Sequence, residues 1–128
     1  MIKDGTIHQP ARDCIWDFVD AVLTRRPRIA FGLLEEALEY GNPTLTLISV
    51  LYTNAKQLLQ VQGCKSDDVS KTTGLSGWDI KRAYGRVGKY TNSELVHMMH
   101  VVRDAEKGIK SGEIEESMAL NYILVNVM

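Results

Sequence analysis

The sequence has little of what marks several common classes of protein. Its 128 residues include only two cysteines, Cys14 and Cys64. They form neither a Cys-x-x-Cys pair nor a zinc-ligand spacing with histidine, so we expect two reduced thiols rather than a disulfide scaffold. No run of about 18 apolar residues occurs, which predicts no transmembrane helix. Residues 1–10 lack the apolar centre of a signal peptide. We therefore expect a cytoplasmic protein without membrane contact.

An excess of charge of one sign is also missing. The chain has 15 Lys and Arg against 16 Asp and Glu, a formal net charge of −1. This balance argues against a strongly basic protein that wraps nucleic acid, although a local basic face remains possible. Hydrophobic residues make up 45% and charged residues 24%, values typical of a globular protein and not of a disordered one. The length fits one domain with its own core.

The motifs of several enzyme classes are absent as well. The sequence contains no G-x-G-x-x-G, G-x-x-x-x-G-K-[ST], H-E-x-x-H or G-x-S-x-G. Without a glycine loop to hold phosphate, the chain is not expected to hydrolyse a nucleotide by itself. Its paired carboxylates fall at helix starts or on predicted solvated faces, and adjacency in sequence does not make an acid–base pair. The sequence predicts a protein that is not an enzyme and holds no cofactor.

The pattern that is present is helical. Ile15, Phe18, Val19 and Val22 recur at helical spacing, which predicts a first helix over residues 11–23. The same reasoning predicts six further helices that begin at about residues 27, 43, 66, 77, 92 and 115. The fifth is expected to reach about Lys89. We therefore predict an all-α fold: residues 1–12 form a linker or partly ordered N-terminus, and residues 13–128 form a single compact helical domain of about seven helices.

Capping residues support these helix boundaries. Asn42 is suited to cap a third helix whose first residue is Pro43, and Ser66 is suited to cap the fourth. Thr91 and Glu94 match a capping box at the start of the sixth. The last segment, residues 115–128, ends in a β-branched run that could also form a strand. We favour a helix because every other element is helical.

Residues 66–89 have the outline of a helix-turn-helix. Residues 65–89 contain six basic and three acidic side chains, a local charge of +3. The candidate contacts to nucleic acid or to a partner are the basic residues of the second helix: Lys81, Arg82, Arg86 and Lys89. Such a helix would read duplex DNA in the major groove, but Trp78 stands where polar base-reading side chains are wanted. A DNA-binding regulator therefore remains the alternative to a partner-facing basic helix.

Glu94, His97 and His100 follow one another at i, i+3 steps. Glu-x-x-His is a metal-ligand spacing in some helical bundles, which supply further ligands from other helices. No second Glu-x-x-His occurs here, and the capping box already accounts for Glu94. We therefore predict no metal site, and we expect the two histidines to border the core or an interface.

Taken in order, these features resemble the C-terminal collar domain of the delta subunit of bacterial DNA polymerase III, in the clamp-loader family. The resemblance covers about residues 15–128 and rests on apolar and capping patterns rather than on catalytic signatures. The matching stretches are residues 15–22 (IWDFVDAV), 30–38 with Gly-Asn-Pro at 41–43, 47–62, 69–76 with 80–83, 90–95 and 104–112. The final apolar helix is also similar to the family, but it lacks the acidic-proline start often seen there.

The resemblance implies a non-catalytic oligomerisation domain, since the collar domains of clamp-loader subunits pack into a ring that supports sliding-clamp loading in DNA replication. The implied partners are the other clamp-loader subunits, ATPase and delta-prime-like, through collar contacts. Contact with DNA would be indirect or weak, and the sliding clamp would be bound by domains that this chain does not contain. We therefore expect the chain to be an excised piece of a longer subunit rather than a short natural protein.

A collar interface requires large apolar side chains with a polar rim. The sequence has more aromatic and methionine residues than one small core can hold. The candidate partner-interface anchors are drawn from this excess: Tyr52, Trp78, Tyr84, Met98 and Tyr122.

Overall fold

A computed structural model of the chain describes residues 10–65 and 67–128. Within these residues the fold is all-α, as expected, with seven helices and no strand. The helices are α1 (Pro10–Leu23), α2 (Pro27–Glu39), α3 (Thr44–Gly63), α4 (Val69–Thr73), α5 (Gly77–Tyr84), α6 (Asn92–Ser111) and α7 (Glu116–Val127). The last segment is a helix, so the alternative of a strand is wrong. None of the described helices is both long and apolar enough to cross a membrane.

The core is built around α3, which packs against α1, α5, α6 and α7. Leu47, Ile48, Leu51 and Leu58 of α3 are almost completely buried. Two helix pairs pack beside it, since α1 packs on α2 and α6 packs on α7. A helix that is contacted from several sides must be apolar around much of its circumference, which is the pattern that the sequence shows over residues 47–62.

The capping box at the start of α6 is confirmed. The backbone N–H of Glu94 donates to Thr91 Oγ1 at 3.1 Å, and the backbone N–H of Thr91 donates to Glu94 Oε1 at 2.9 Å. These two bonds satisfy N–H groups that have no partner inside the helix.

The starts of α3 and α4 differ from the prediction. Pro43 is the N-cap of α3 rather than its first residue. Asn42 Nδ2 donates to the carbonyl oxygen of Ala37 at 2.9 Å, so the Asn42 side chain contributes to the end of α2. The N-cap of α4 is Asp68, which accepts from the N–H of Lys71 at 3.0 Å. The predicted cap, Ser66, lies outside the described residues.

Two other helix boundaries also shift. Helix α5 ends at Tyr84 and not at Lys89, because residues 85–88 form turns and Gly88 has a φ of +87°. Helix α1 begins at Pro10, one residue before its predicted start at residue 11. Of the predicted N-terminal linker, residues 1–9 lie outside the described residues. The short α5 determines where the predicted basic residues point.

Candidate functional site

The predicted basic contacts are placed by α5 and by the turns that follow it. The Ser76 hydroxyl accepts from the N–H of Asp79 at 3.1 Å and starts the helix. Lys81 and Lys89 are exposed. Arg82 is half-buried, pairs with Asp79 at 3.1 Å, and lies with its guanidinium carbon 4.5 Å from the centroid of the Trp16 ring. Of the four candidates, Lys81 and Lys89 are thus exposed, and Arg82 makes intramolecular contacts.

Arg86 is 3% exposed, so the prediction that it contacts nucleic acid or a partner is wrong. Its Nε donates to Asp20 Oδ1 at 3.1 Å, and its Nη1 donates to Asn54 Oδ1 at 2.9 Å. Burial lowers the pKa of Arg86, and the hydrogen bond to Asp20 opposes that change. The side chain turns inward because α5 ends two residues earlier. Arg86 therefore joins α1, α3 and the connection after α5.

Exposed aromatic rings accompany the lysine of α5. Trp78 is 73% exposed, and Lys81 Nζ lies 5.6 Å from the centroid of its ring. Tyr84 is exposed at the end of the same helix. We refer to Trp78, Lys81 and Tyr84 as the α5 surface. Because a large exposed ring beside a cation can stack on a flat ligand or anchor a partner, this surface is one candidate site.

The other predicted interface anchors have different surroundings. Met98 is completely buried, because its position in α6 faces the core, so the prediction that it anchors a partner is wrong. Tyr52 is half-buried on α3 and lies under Arg103, whose guanidinium carbon is 4.4 Å from the ring centroid. A cavity of about 200 Å³ lies beside this pair, and Glu106 contributes to its lining. Tyr122 lies on α7 and is partly exposed.

Tyr122 belongs to an apolar face that the sequence analysis largely missed. Met118 is 55% exposed, Tyr122 41% and Val125 71%. These three residues, which we call the α7 stripe, border a groove of about 490 Å³. Glu113 and Glu115 lie at the end of the groove where α7 begins. The signal that could have revealed the stripe is the complete lack of charged residues over positions 117–128.

The residues considered for a metal site make other contacts. Glu94 Oε2 pairs with Arg25 Nη2 at 3.0 Å, while its Oε1 accepts from Thr91. Arg25 and the Thr91 backbone together lower the pKa of Glu94. His97 Nε2 lies 3.2 Å from the carbonyl oxygen of Asn126 on α7, and His100 is exposed. Over residues 10–65 and 67–128, no three His, Cys, Asp or Glu residues are grouped so that they could hold a metal ion.

Comparison with known proteins gives one family. The model of the family described as DNA polymerase III delta subunit, C-terminal domain, matches residues 12–127. Neither a curated protein nor a solved structure matches the chain. The match covers α2 to α7 completely and all but the first two residues of α1. The chain therefore belongs to the family of the C-terminal domain of the DNA polymerase III delta subunit.

Proposed function

We propose that this chain is the collar domain of a clamp-loader delta subunit, a non-catalytic part that packs beside the helical domains of other clamp-loader subunits. The observation that carries the proposal is the family match over residues 12–127. The exposed apolar side chains support it, because oligomeric interfaces are built around large apolar residues with a polar rim. The proposed partners are the ATPase and delta-prime-like subunits, and the proposed location is the cytoplasm.

The test is complex formation in solution. The chain is mixed with the ATPase subunit or the delta-prime-like subunit from the same genome, and mass is measured by light scattering after size-exclusion chromatography. We expect a stoichiometric complex with at least one of them at tens of micromolar. An unrelated all-α domain of similar size serves as the control partner. If the chain elutes alone with both subunits, the proposal is overturned.

A second candidate function, single-stranded nucleic acid contact, is favoured by the α5 surface. Exposed aromatic rings stack on bases, and neighbouring cations attract the phosphate backbone. The related hypothesis of a regulator that reads duplex DNA is weaker. Its second helix has only eight residues, Arg86 is buried, and the second residue of the helix is Trp78, whose side chain is 73% exposed.

A binding titration separates these possibilities. Labelled single-stranded and duplex oligonucleotides are titrated at several salt concentrations with the wild-type chain, Trp78→Ala and Lys81→Ala. Stacking by Trp78 predicts that Trp78→Ala weakens single-strand binding by about tenfold, and that the logarithm of affinity falls with the logarithm of salt. Lys110→Ala, at an exposed position on α6, is the control and should change little. Equal binding by Trp78→Ala and the wild type contradicts the stacking contact.

A further inference from the structure

Helix α7 is apolar on the side that faces the protein and on the opposite side as well. Ala119, Leu120, Ile123 and Leu124 are buried against neighbouring helices, chiefly α6. The α7 stripe lies outside this packing and is largely exposed. Helices that are apolar all around are normally buried all around. The exposed stripe is therefore the feature of α7 that its packing inside this domain does not explain.

The stripe is continuous over two turns of the helix. A helix turns by about 100° per residue, so Met118, Tyr122 and Val125 fall within about 60° of one another. On α2, Phe31 and Leu38 also lie on one side and are exposed, but they are two turns apart, and on the turn between them Leu34 is buried and Glu35 is charged. Ile29, which is exposed too, lies about 160° from Phe31 around the helix axis. Contiguous exposed apolar surface marks interaction sites, whereas scattered apolar residues do not.

Charges at the groove indicate what kind of surface fits there. Glu113 and Glu115 line one end, and the remaining lining is apolar or amide: Ile114, Met118, Asn121, Tyr122, Val125 and Asn126. No lysine or arginine contributes to the described lining. An apolar groove with an acidic end is complementary to an apolar side chain flanked by basic residues, because such charges attract across an interface rim and disfavour acidic partners.

We propose that the α7 stripe and its groove form the docking surface for a neighbouring clamp-loader subunit, and that this subunit inserts a large apolar or aromatic side chain flanked by lysine or arginine. The inference rests on the proposed function and deepens it, since it assigns the face of the domain and the chemistry of the partner. The apolar stripe supplies the binding energy, and the two glutamates orient the partner.

The first arm of the test removes apolar surface. The double variant Met118→Ser with Val125→Ser is compared with the wild-type chain for binding to the subunit that forms the complex described above, by isothermal titration calorimetry. Both side chains are more than half exposed, so the variant should keep its fold, which far-UV circular dichroism and a urea midpoint check. We expect the dissociation constant to rise at least tenfold. The matched control is Ile29→Ser on α2, which should leave it unchanged.

The second arm tests the acidic end. Glu113→Gln with Glu115→Gln should weaken binding severalfold at low salt, and the difference from the wild type should shrink as salt is raised, because exposed charges are screened. The matched control is Glu35→Gln with Glu39→Gln, which removes two exposed charges from α2. Tighter binding by the Glu113/Glu115 variant overturns the basic character assigned to the partner.

The outcomes separate this inference from the proposed function. Failure of the wild-type chain to bind either subunit overturns both. A complex that tolerates the Met118/Val125 variant, or that is lost with Ile29→Ser instead, overturns only the assignment to α7. Dimerisation of the chain alone that disappears in the Met118/Val125 variant also overturns it, because a second copy would then be the occupant of the groove.

Discussion

The connection between α5 and α6 and the connection between α6 and α7 are both short, but different contacts hold them. The first, residues 85–91, is bound by polar side chains from distant parts of the chain. Gln62 Nε2 donates to the carbonyl oxygen of Tyr90 at 3.1 Å, and Gln62 Oε1 accepts from the N–H of Gly88 at 3.0 Å. The Tyr90 hydroxyl donates to the carbonyl oxygen of Val22 at 2.8 Å, and Arg86 reaches Asp20 and Asn54.

The second connection, residues 112–115, is held by close apolar packing between residues that are near one another in the sequence. The N–H of Ile114 donates to the carbonyl oxygen of Gly108 at 3.0 Å, and the Ile114 side chain covers Gly108. A Cβ atom at residue 108 would lie 2.5 Å from Ile114 Cδ1, which is closer than two non-bonded carbon atoms can approach. Gly108 therefore provides the space into which Ile114 packs.

The difference teaches that each connection is sensitive to its own kind of change. Polar contacts fail when a buried donor or acceptor loses its partner. Close apolar contacts fail when volume is added. The α5–α6 connection also positions the α5 surface, whereas the α6–α7 connection positions the start of the α7 stripe. Substitutions in the two connections test this contrast.

Arg86→Ala should have the largest effect. It leaves the buried Asn54 Oδ1 without the Arg86 donor and removes a side chain from the interior. Because Asp20 is partly exposed and can be solvated by water, we expect a loss of about 3 kcal/mol in the free energy of unfolding rather than the upper end of the range for buried pairs. Urea titration followed by circular dichroism measures it.

Arg82→Ala is the control for this prediction. Arg82 also pairs with an aspartate, but the pair lies within one helix and near the surface. Such pairs stabilise by less than about 1 kcal/mol, and the contact of Arg82 with the Trp16 ring adds about 0.5–1 kcal/mol, so Arg82→Ala should lose less free energy than Arg86→Ala. If the two variants lose the same free energy, the buried network of Arg86 does not hold the α5–α6 connection.

The same comparison explains how much the sequence could predict. The capping box of Thr91 and Glu94 is local, because its atoms lie within three residues, and the sequence predicts it. The sequence places Arg86 on the surface because its partners, Asp20 and Asn54, lie 66 and 32 residues away. The apolar spacing of Leu47 to Gln62 predicted the central α3. Contacts between distant polar residues depend on the tertiary fold, and no local pattern shows them.

Gly108→Ala should have the second largest effect. It should lower the free energy of unfolding, although helix propensity alone predicts that alanine raises it. Alanine is favoured over glycine inside a helix by about 1 kcal/mol. Here the new methyl group would displace Ile114, whose branched side chain has few alternative rotamers. We expect a net loss of about 2 kcal/mol, measured by urea titration. Gly32→Ala in α2, where nothing lies within 4 Å of the added Cβ, should instead gain stability. A gain in both variants would contradict the close packing at Ile114.

Tyr90→Phe tests a single polar contact of the α5–α6 connection. The change removes the hydroxyl that donates to Val22 and should cost about 1 kcal/mol at neutral pH. Burial raises the pKa of Tyr90 to about 12, against about 10 in the unfolded chain. Between these values the unfolded state loses the phenol proton and the folded state keeps it, so the wild-type stability falls as pH rises.

Tyr90→Phe cannot undergo this titration, and its stability should fall less over the same pH range. The difference in stability between the two chains is measured from their urea midpoints at pH values from neutral to about 12. We expect the advantage of the wild type to narrow as the pH rises from about 10 to about 12. An advantage that stays constant over that range would mean that the Tyr90 hydroxyl is not buried.

The smallest effect concerns Arg25, the non-glycine residue with a positive φ, +61°, in the described part of the chain. Its side chain pairs with Glu94, donates to the carbonyl oxygen of Lys89 at 3.2 Å, and lies 4.6 Å from the centroid of the Tyr90 ring.

Arg25→Ala loses these exposed contacts and keeps the left-handed backbone, which costs a non-glycine residue about 1 kcal/mol. Arg25→Gly loses the same contacts but relieves the backbone. Although glycine is the smaller residue, we therefore expect Arg25→Gly to be more stable than Arg25→Ala by about 0.5 kcal/mol, since the entropy of glycine in the unfolded chain offsets part of the relief. Urea midpoints of the two variants decide it, and a less stable Arg25→Gly would mean that residue 25 carries no backbone strain.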